Sequence, residues 1–260
     1  MKIVSWNVCF RNSDRTGALR FIAELDCDIL CLQEVPEHML AELKKLPYHL
    51  ATAVDVDRLF PSGTERNYLV IRSRFPVLGS GSVPFTVPHL PWRTRLFVWL
   101  MRHWHWTKIE GRNGLWADID VGGMMLRVFC LHLLLAYPSV RAREFERAMR
   151  SRDGKNMIVC GDFNILEYPK GTILNWILGG PFIDALRFTR ERTDMEQRFA
   201  SYRLTNPLRG KATHNYSRKQ QLSHILVPQG SAVRQARVFP GYHGSDHRPV
   251  LVEVDARSRP

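Results

Sequence analysis

Long apolar runs are missing from this sequence. The most apolar stretch outside the strand-like segments, Leu96 to Met101, is bracketed by Arg95 and Arg102. It falls far short of the roughly 18 residues that a membrane-spanning helix needs, so it cannot cross a bilayer. Cysteine is scarce too: there are five, an odd number, and none belongs to a short-spaced Cys/His pattern. That excludes a disulfide framework or a zinc ribbon as the basis of the fold. Cys9, Cys31, Cys130 and Cys160 lie in or beside apolar strand-like runs, where a thiol behaves as a small buried hydrophobe. A reducing, cytoplasmic setting is the expectation. The segment Met1–Asn7 reads at once as a strand and lacks the basic-then-apolar order of a secretory leader. No internal repeat or low-complexity tract occurs. With 45% hydrophobic and 24% charged residues, disorder is excluded, and 260 residues fit one domain. Acidic residues are in deficit: 25 stand against 37 Lys and Arg, a formal net charge of +12. Charge of this sign favours polyanionic partners, nucleic acid or an anionic membrane surface, although net charge alone fits a generally basic surface equally well.

Short apolar runs alternate with segments of helical period. Ile3–Val8 and Asp28–Gln33 read as strands, with a helix between them that starts after Ser13 and Asp14 and carries Ala18, Phe21, Ile22 and Leu25 on one face. Pro36 opens a second helix bearing Met39, Leu40 and Leu43. Tyr68–Ser73 is a further strand, broken by Arg74-Phe75-Pro76. Leu115–Val121 and Leu126–Leu131 form a hairpin about Gly122-Gly123. A helix over about 140–150, the strand Met157–Cys160, a short helix over Thr172–Leu178, and strands at Ser223–Val227 and Pro249–Val254 complete the series. Strands, hairpins and helices in this order predict an α/β fold with mixed sheet pairing.

One region, about residues 86–112, stands apart. It interleaves Trp92, Phe97, Trp99, Trp104 and Trp106 with Arg93, Arg95, Arg102 and Lys108. Three readings stay open: a surface that stacks on bases while cations meet phosphates, a segment lying in a lipid interface, or an insertion whose tryptophans pack on the sheet edge.

The chemically informative pattern is positional. Apolar strands repeatedly end on a polar residue that a core does not tolerate idly. Ile3–Trp6 ends on Asn7, Ile29–Gln33 on Glu34, Val128–Leu131 on His132, and Met157–Gly161 on Asp162, with Asn164 two residues on. Gly244-Ser245-Asp246-His247 precedes the last strand, so an antiparallel last strand brings it to the same rim. Singly, each has a plain reading: Asn7 as a turn former, Glu34 as a helix cap, His132 as a satisfied core histidine, Asp162-Phe163-Asn164 as an Asx-turn, Asp246-His247 as a loop pair. Together they are far less expected by accident. Carboxylate and carbonyl oxygens converging on one rim suit Mg2+ or Mn2+.

The segments Ser5-Trp6-Asn7, Leu32-Gln33-Glu34, Leu131-His132-Leu133, Gly161-Asp162-Phe163-Asn164 and Ser245-Asp246-His247 resemble, in order, the motif series of the endonuclease/exonuclease/phosphatase superfamily. The resemblance implies a four-layered α/β sandwich, two β-sheets packed face to face with helices outside. It implies hydrolysis of phosphoric esters with Mg2+ or Mn2+ held by Glu34, with Asn7 and Asp246 nearby. It further implies that Asp162 activates or orients the attacking water and that Asn164 holds a phosphate oxygen. His247 then contacts phosphate or acts as a base, and His132 stabilises the transition state or protonates the leaving oxygen. The Leu-His-Leu setting of His132 is similar to the deoxyribonuclease-I, sphingomyelinase and tyrosyl-phosphodiesterase branches. The pattern departs at Ser223, where relatives place an aspartate that orients the catalytic histidine. A hydroxyl can orient His247 but cannot stabilise its cation as a carboxylate does.

Arg141 and Arg143 are candidate phosphate contacts at the start of the helix after His132, and Glu65 or Asn67 are candidate partners of His132. A phosphodiesterase or nuclease acting on nucleic acid is the leading reading. A lipid or small-molecule phosphoesterase and a non-catalytic nucleic-acid-binding relative are the alternatives. Anionic lipid therefore stays a possible partner beside nucleic acid.

Overall fold

A computed structural model describes residues 1–60, 63–87, 91–93, 96, 108–135, 137–166, 173, 176–177, 181–183, 190–215 and 220–255. Its first unit is a strand–helix–strand crossover. Strand β1 (Lys2–Asn7) leads into helix α1 (Arg15–Glu24), whose N-terminus is capped by Asp14 accepting from the Gly17 N–H at 2.9 Å. Strand β2 (Ile29–Pro36) then runs parallel to β1, from Ile3 opposite Ile29 to Asn7 opposite Gln33. Helix α2 (Glu37–Leu43) follows directly and buries Met39, Leu40 and Leu43. Among strands β3 (His49–Phe60), β4 (Gly63–Ser73), β5 (Val77–Phe85), β6 (Lys108–Val121) and β7 (Met124–His132), β3 pairs antiparallel with β4, β5 with β6, and β6 with β7. Helix α3 (Pro138–Arg150) carries the chain back to β8 (Asn156–Asp162), which lies parallel to β7 with His132 opposite Asp162. Helix α4 (Arg190–Ser201) precedes β9 (Leu204–Thr205), β10 (Ser223–Pro228), β11 (Val233–Val238) and β12 (Val250–Val254).

The pairing is mixed, as expected, and the strand order is β11-β12-β1-β2-β4-β3-β6-β7-β8-β10-β9, with β5 on β6. This is one large curled sheet, whereas two separate sheets were expected. The physical reason lies in the length of β3 and β6. Their far ends, Asp57–Leu59 and Lys108–Glu110, hydrogen-bond to each other and stitch the two halves together. Strands distant in this order nevertheless meet: β1 approaches β8 and β10, and β2 approaches β7 and β8.

Alternation along each strand divides the core accordingly. Ile3, Cys31, Ile71, Val128, Cys160, Ile225 and Val252 face the space between the halves. Their neighbours Val4, Leu30, Leu32 and Val70 pack under α1 and α2. Phe129, Val159 and Leu226 pack with Phe145 of α3 and Phe199 of α4. Strands covered on both faces read as continuous apolar runs, which is why β1, β2, β7 and β8 were legible as strands.

All five cysteines are free thiols. Among the described residues no helix is long and apolar enough to cross a membrane. Most of the Trp/Arg-rich region, including Phe97, Trp99, Trp104, Trp106, Arg95 and Arg102, lies outside the described residues, as does most of the Thr172–Leu178 helix. Within the region, Trp92 is exposed and Arg93 donates to the carbonyl of Trp176 at 3.0 Å.

Candidate active site

Both parallel crossovers, β1-α1-β2 and β7-α3-β8, deliver the carboxyl ends of their strands to one rim. Asn7 and His132 end β1 and β7, Glu34 lies near the end of β2, and Asp162 ends β8. Antiparallel β12 pairs with β1, with Ser5 opposite Val250, so the residues just before β12 return to the same rim. The Trp6 indole N–H donates to the His247 carbonyl at 3.0 Å and locks that return.

Glu34 owes its direction to a β-bulge. The pairing of β2 with β4 shifts register between Leu32 and Val35, and Glu34 takes a left-handed φ of 56°. Its Oε2 accepts from the Phe10 N–H at 3.1 Å. Its Oε1 faces His132 Nε2 at 3.6 Å and Arg58 Nη2 at 3.8 Å, distances too long for full hydrogen bonds. A second bulge, between Val54 and Val56 of β3, aims Asp55 inward. Asp55 Oδ2 lies 2.8 Å from His132 Nδ1, and the carboxylate is almost wholly buried. Burial by itself pushes the His132 imidazole toward neutrality. The charge and hydrogen bond of Asp55, joined by Glu34 and Asp162, outweigh it and raise the pKa to about 9. For Asp55, burial opposes ionisation, and His132, Arg112 and Arg58 overcome it and hold the carboxyl below its ordinary range.

Asp162 is held at both oxygens. Asn7 Nδ2 donates to its Oδ2 at 3.0 Å and the Asn164 N–H to its Oδ1 at 3.1 Å. Asn164, itself left-handed at φ 53°, donates its side-chain amide to the Leu133 carbonyl at 2.8 Å. The approach depends on Gly161, whose φ is 149° and whose Cβ, if present, stands 1.8 Å from the Leu131 oxygen. His247 Nε2 lies 3.4 Å from Asp162 Oδ2, and Nδ1 lies 3.4 Å from Ser223 Oγ. Burial lowers the His247 pKa despite the neighbouring charges of Asp162 and Asp246. Asp246 meets His214 Nε2 at 3.3 Å, and its pKa is lowered to about 2: burial resists ionisation, but His214 and His247 more than offset it. Cys9 lies within the field of both Glu34 and Asp246. Burial pushes its thiol up to about 12, with the charges of these two carboxylates as the next causes.

The profile described as the Endonuclease/Exonuclease/phosphatase family matches residues 4–247. The chain belongs to this family. No curated protein matches it by sequence. Among solved structures it is similar to an endonuclease/exonuclease/phosphatase family protein from Leptotrichia buccalis C-1013-b, at TM-score 0.62 and 16% identity over 98% of this chain and 99% of the other. It is also similar to a 3′ phosphatase from Neisseria bound to product DNA hairpin, at 0.60 and 19% with the same coverage. A mannosyl-6-phosphatase from Bacteroides thetaiotaomicron VPI-5482 matches at 0.59 and 16%, again over 98% and 99%. At such identities these likenesses establish the shared fold.

Members of the endonuclease/exonuclease/phosphatase family act on phosphoric esters, and the donor set of this chain suits a divalent cation. Glu34, Asp55, Asp162 and Asp246 crowd one rim, and the orphaned Asp55 Oδ1 is buried without a hydrogen-bond partner among the described residues. Carboxylates in excess of local cations, joined by the Asn7 carbonyl, are the chemistry of a hard-metal site. The candidates Asn7, Glu34, His132, Asp162, Asn164, Asp246, His247 and Ser223 therefore stand together.

The two arginines do not join them. Arg141 is fully buried, paired through Nε and Nη2 with Glu191 at 2.7 Å and bonded to the Leu134 and Leu135 carbonyls. A phosphate contact by Arg141 does not fit this placement, because its donors already serve Glu191 and the loop after β7. Arg143 sits on the exposed face of α3. Asn67 turns its amide toward Arg58, and Glu65 lies opposite Arg58 across the β3–β4 ladder, so His132 is served by Asp55 instead. Asp55, Arg58 and His214 are the rim residues that sequence reasoning did not reach.

Proposed function

We propose that the protein is a Mg2+- or Mn2+-dependent phosphodiesterase acting on nucleic acid as a single catalytic domain in a reducing, cytoplasmic setting, with the curled sheet serving as the four-layered sandwich of its family. The observation that carries this reading is the junction of the Asp55–His132 pair with the Glu34, Asp162 and Asp246 carboxylates at one rim. Glu34, Asn7 and Asp246 would hold the ion, which, when bound, neutralises charge on the non-bridging phosphate oxygens.

Asp162, unable to rotate between Asn7 and Asn164, orients the attacking water and accepts its proton. The Asn164 amide carries a second N–H for a phosphate oxygen beyond the one given to Leu133. His132, kept cationic by Asp55, donates from Nε2 to the leaving oxygen. His247, kept neutral by burial, donates from Nε2 to a phosphate oxygen. Ser223 orients its other nitrogen.

An open depression of about 580 Å3, lined by Arg11, Ser13, Asn215 and Gly244 beside Asp246, supports a substrate larger than phosphate alone. The net charge of +12 supports a polyanionic one. The test is cleavage of labelled DNA and RNA by pure protein with Mg2+ or Mn2+, alongside small phosphomonoesters and vesicles of anionic phospholipid. Metal-dependent cleavage of nucleic acid that is lost in Glu34→Ala supports the proposal. Turnover of only the monoesters or lipids, or equal inertness of wild type and variant on nucleic acid, overturns it.

A further inference from the structure

A short ladder outside the main strands places His214 directly opposite His247. It is tied on both sides, by the Asn215 N–H to the Asp246 carbonyl at 3.1 Å and the Arg248 N–H to the Thr213 carbonyl at 2.8 Å. Directly opposed residues of an antiparallel pair project to the same side. The two imidazoles accordingly meet edge to face with centroids 4.6 Å apart, and the Asp246 carboxylate reaches His214 Nε2 at 3.3 Å. The metal-binding atoms of His214, Asp246 and His247 all fall within 4.8 Å of one another.

We propose that His214, Asp246 and His247 form a nitrogen-rich divalent-metal subsite that takes a transition ion of the Mn2+, Co2+ or Zn2+ class in preference to Mg2+. The proposal rests on the hydrolase reading only in that Asp246 is shared with the Glu34–Asn7 oxygen set. The geometry is that of neighbouring ligands on one ion. With metal–nitrogen and metal–oxygen bonds of about 2.0–2.2 Å, adjacent donors stand about 3.0–3.4 Å apart, and His214 Nε2 and Asp246 Oδ2 stand at 3.3 Å. All pairs in the set lie within 4.8 Å and a single ion spans about 4.2 Å, so at most a small side-chain rotation brings the donors onto one ion.

Ligand chemistry decides the class of ion. Imidazole nitrogens suit transition ions, and Mg2+ keeps its waters and prefers oxygen. The backbone ladder holds the two histidines side by side before any ion arrives, and the set is at most half-exposed. A carboxylate that otherwise serves an oxygen-only site thus gains two nitrogen neighbours, and His214 is the residue that makes the difference. Ligation by His247 takes the place of that ring's contact to phosphate, so the ion and the phosphate share one ring in turn.

Binding of Co2+, followed by its visible d–d absorption, and of Mg2+, followed by calorimetry, tests this on full-length metal-free protein. Wild type is expected to give the spectrum of imidazole-bound Co2+. His214→Ala should weaken Co2+ binding by at least about tenfold and weaken Mg2+ binding several-fold less, since His214 touches the shared Asp246 without ligating Mg2+. Glu34→Gln should do the reverse, keeping the Co2+ spectrum while weakening Mg2+. Thermal unfolding of the metal-free proteins identifies folded variants, and His214→Asn repeats the comparison if the alanine variant does not fold. Identical Co2+ spectra and affinities in wild type and a folded His214 variant overturn the proposal, as does a wild type that binds no Co2+. A wild type that binds Co2+ through His214 but hydrolyses no phosphoester with any ion leaves the subsite standing and overturns the hydrolase reading instead.

Discussion

Replacing Asp55 by asparagine removes one charge from the rim while keeping the shape of the side chain. In the native protein His132 is raised from 6.5 to about 9, against a burial that lowers it, chiefly by Asp55. That rise corresponds to about 3 kcal/mol in favour of the imidazolium. At pH 8 roughly nine-tenths of the native His132 is protonated. In Asp55→Asn, with burial unopposed by its main partner, the cation falls to a few per cent or less at that pH. If His132 is the proton donor to the leaving oxygen, turnover at pH 8 falls by roughly 30-fold or more, and the deficit shrinks toward pH 6.

The assay is a pH–rate profile of wild type and variant at saturating metal. The alkaline limb, near 9 in wild type, should move down by about two pH units or more in Asp55→Asn. Stability follows the same linkage. A folded pKa above the unfolded one contributes stability that is complete below about pH 6.5 and disappears as pH rises through about 9. Melting temperatures of wild type should therefore decline over that window and those of the variant should not. A deficit equal at every pH, or an alkaline limb that stays in place, would refute a proton donor at His132.

Other substitutions probe the supports of the rim. Gly161→Ala forces a Cβ to 1.8 Å from the Leu131 oxygen at a φ of 149°, and urea denaturation should show a loss of about 2–4 kcal/mol. Arg141→Ala leaves the mostly buried Glu191 without its partner and should cost about 3–5 kcal/mol by the same measurement, while KM of the folded fraction stays unchanged; a large rise in KM without loss of stability would return Arg141 to the substrate. Ser223→Asp places a carboxylate beside His247 Nδ1 and should raise the His247 pKa, followed by NMR. Its effect on turnover should stay under about tenfold, far from the roughly 10⁴ that an orienting carboxylate is worth in serine proteases, because Asp162 and Asp246 already face that ring. A gain approaching the larger figure would mean that His247 must act as a cation.

The rim was legible where strands are regular. Asn7, His132 and Asp162 each terminate an apolar run, and the parallel crossovers carry those ends to one place. Asp246 and His247 followed from the antiparallel return of β12. Asp55 was not legible because regular alternation puts it on the same face as Asp57, and only the bulge after Val54 sends it inward while Asp57 pairs with Arg66 at the surface. His214 belongs to a short bridge without strand periodicity, so nothing in Ala212-Thr213-His214-Asn215 marks it before the ladder to His247 is seen. The strands β3, β5 and β11 escaped for a related reason. Polar, glycine-rich or exposed positions interrupt their apolar pattern, and partner strands rather than their own periodicity hold them.

Arg141 marks the opposite failure. A base-rate reading of charge puts Arg141 in solvent or on phosphate, and it is instead the buried brace of the loop that follows His132.

One rim is proposed to perform metal-dependent hydrolysis of phosphoric diesters. The most direct test is hydrolysis of a labelled oligonucleotide by wild type and Glu34→Gln, each with Mg2+ and after chelation. Turnover should be present only in wild type with metal, and the variant should retain less than about one hundredth of it with an unchanged melting temperature. Equal turnover in the two proteins, or turnover that survives chelation, would contradict the account.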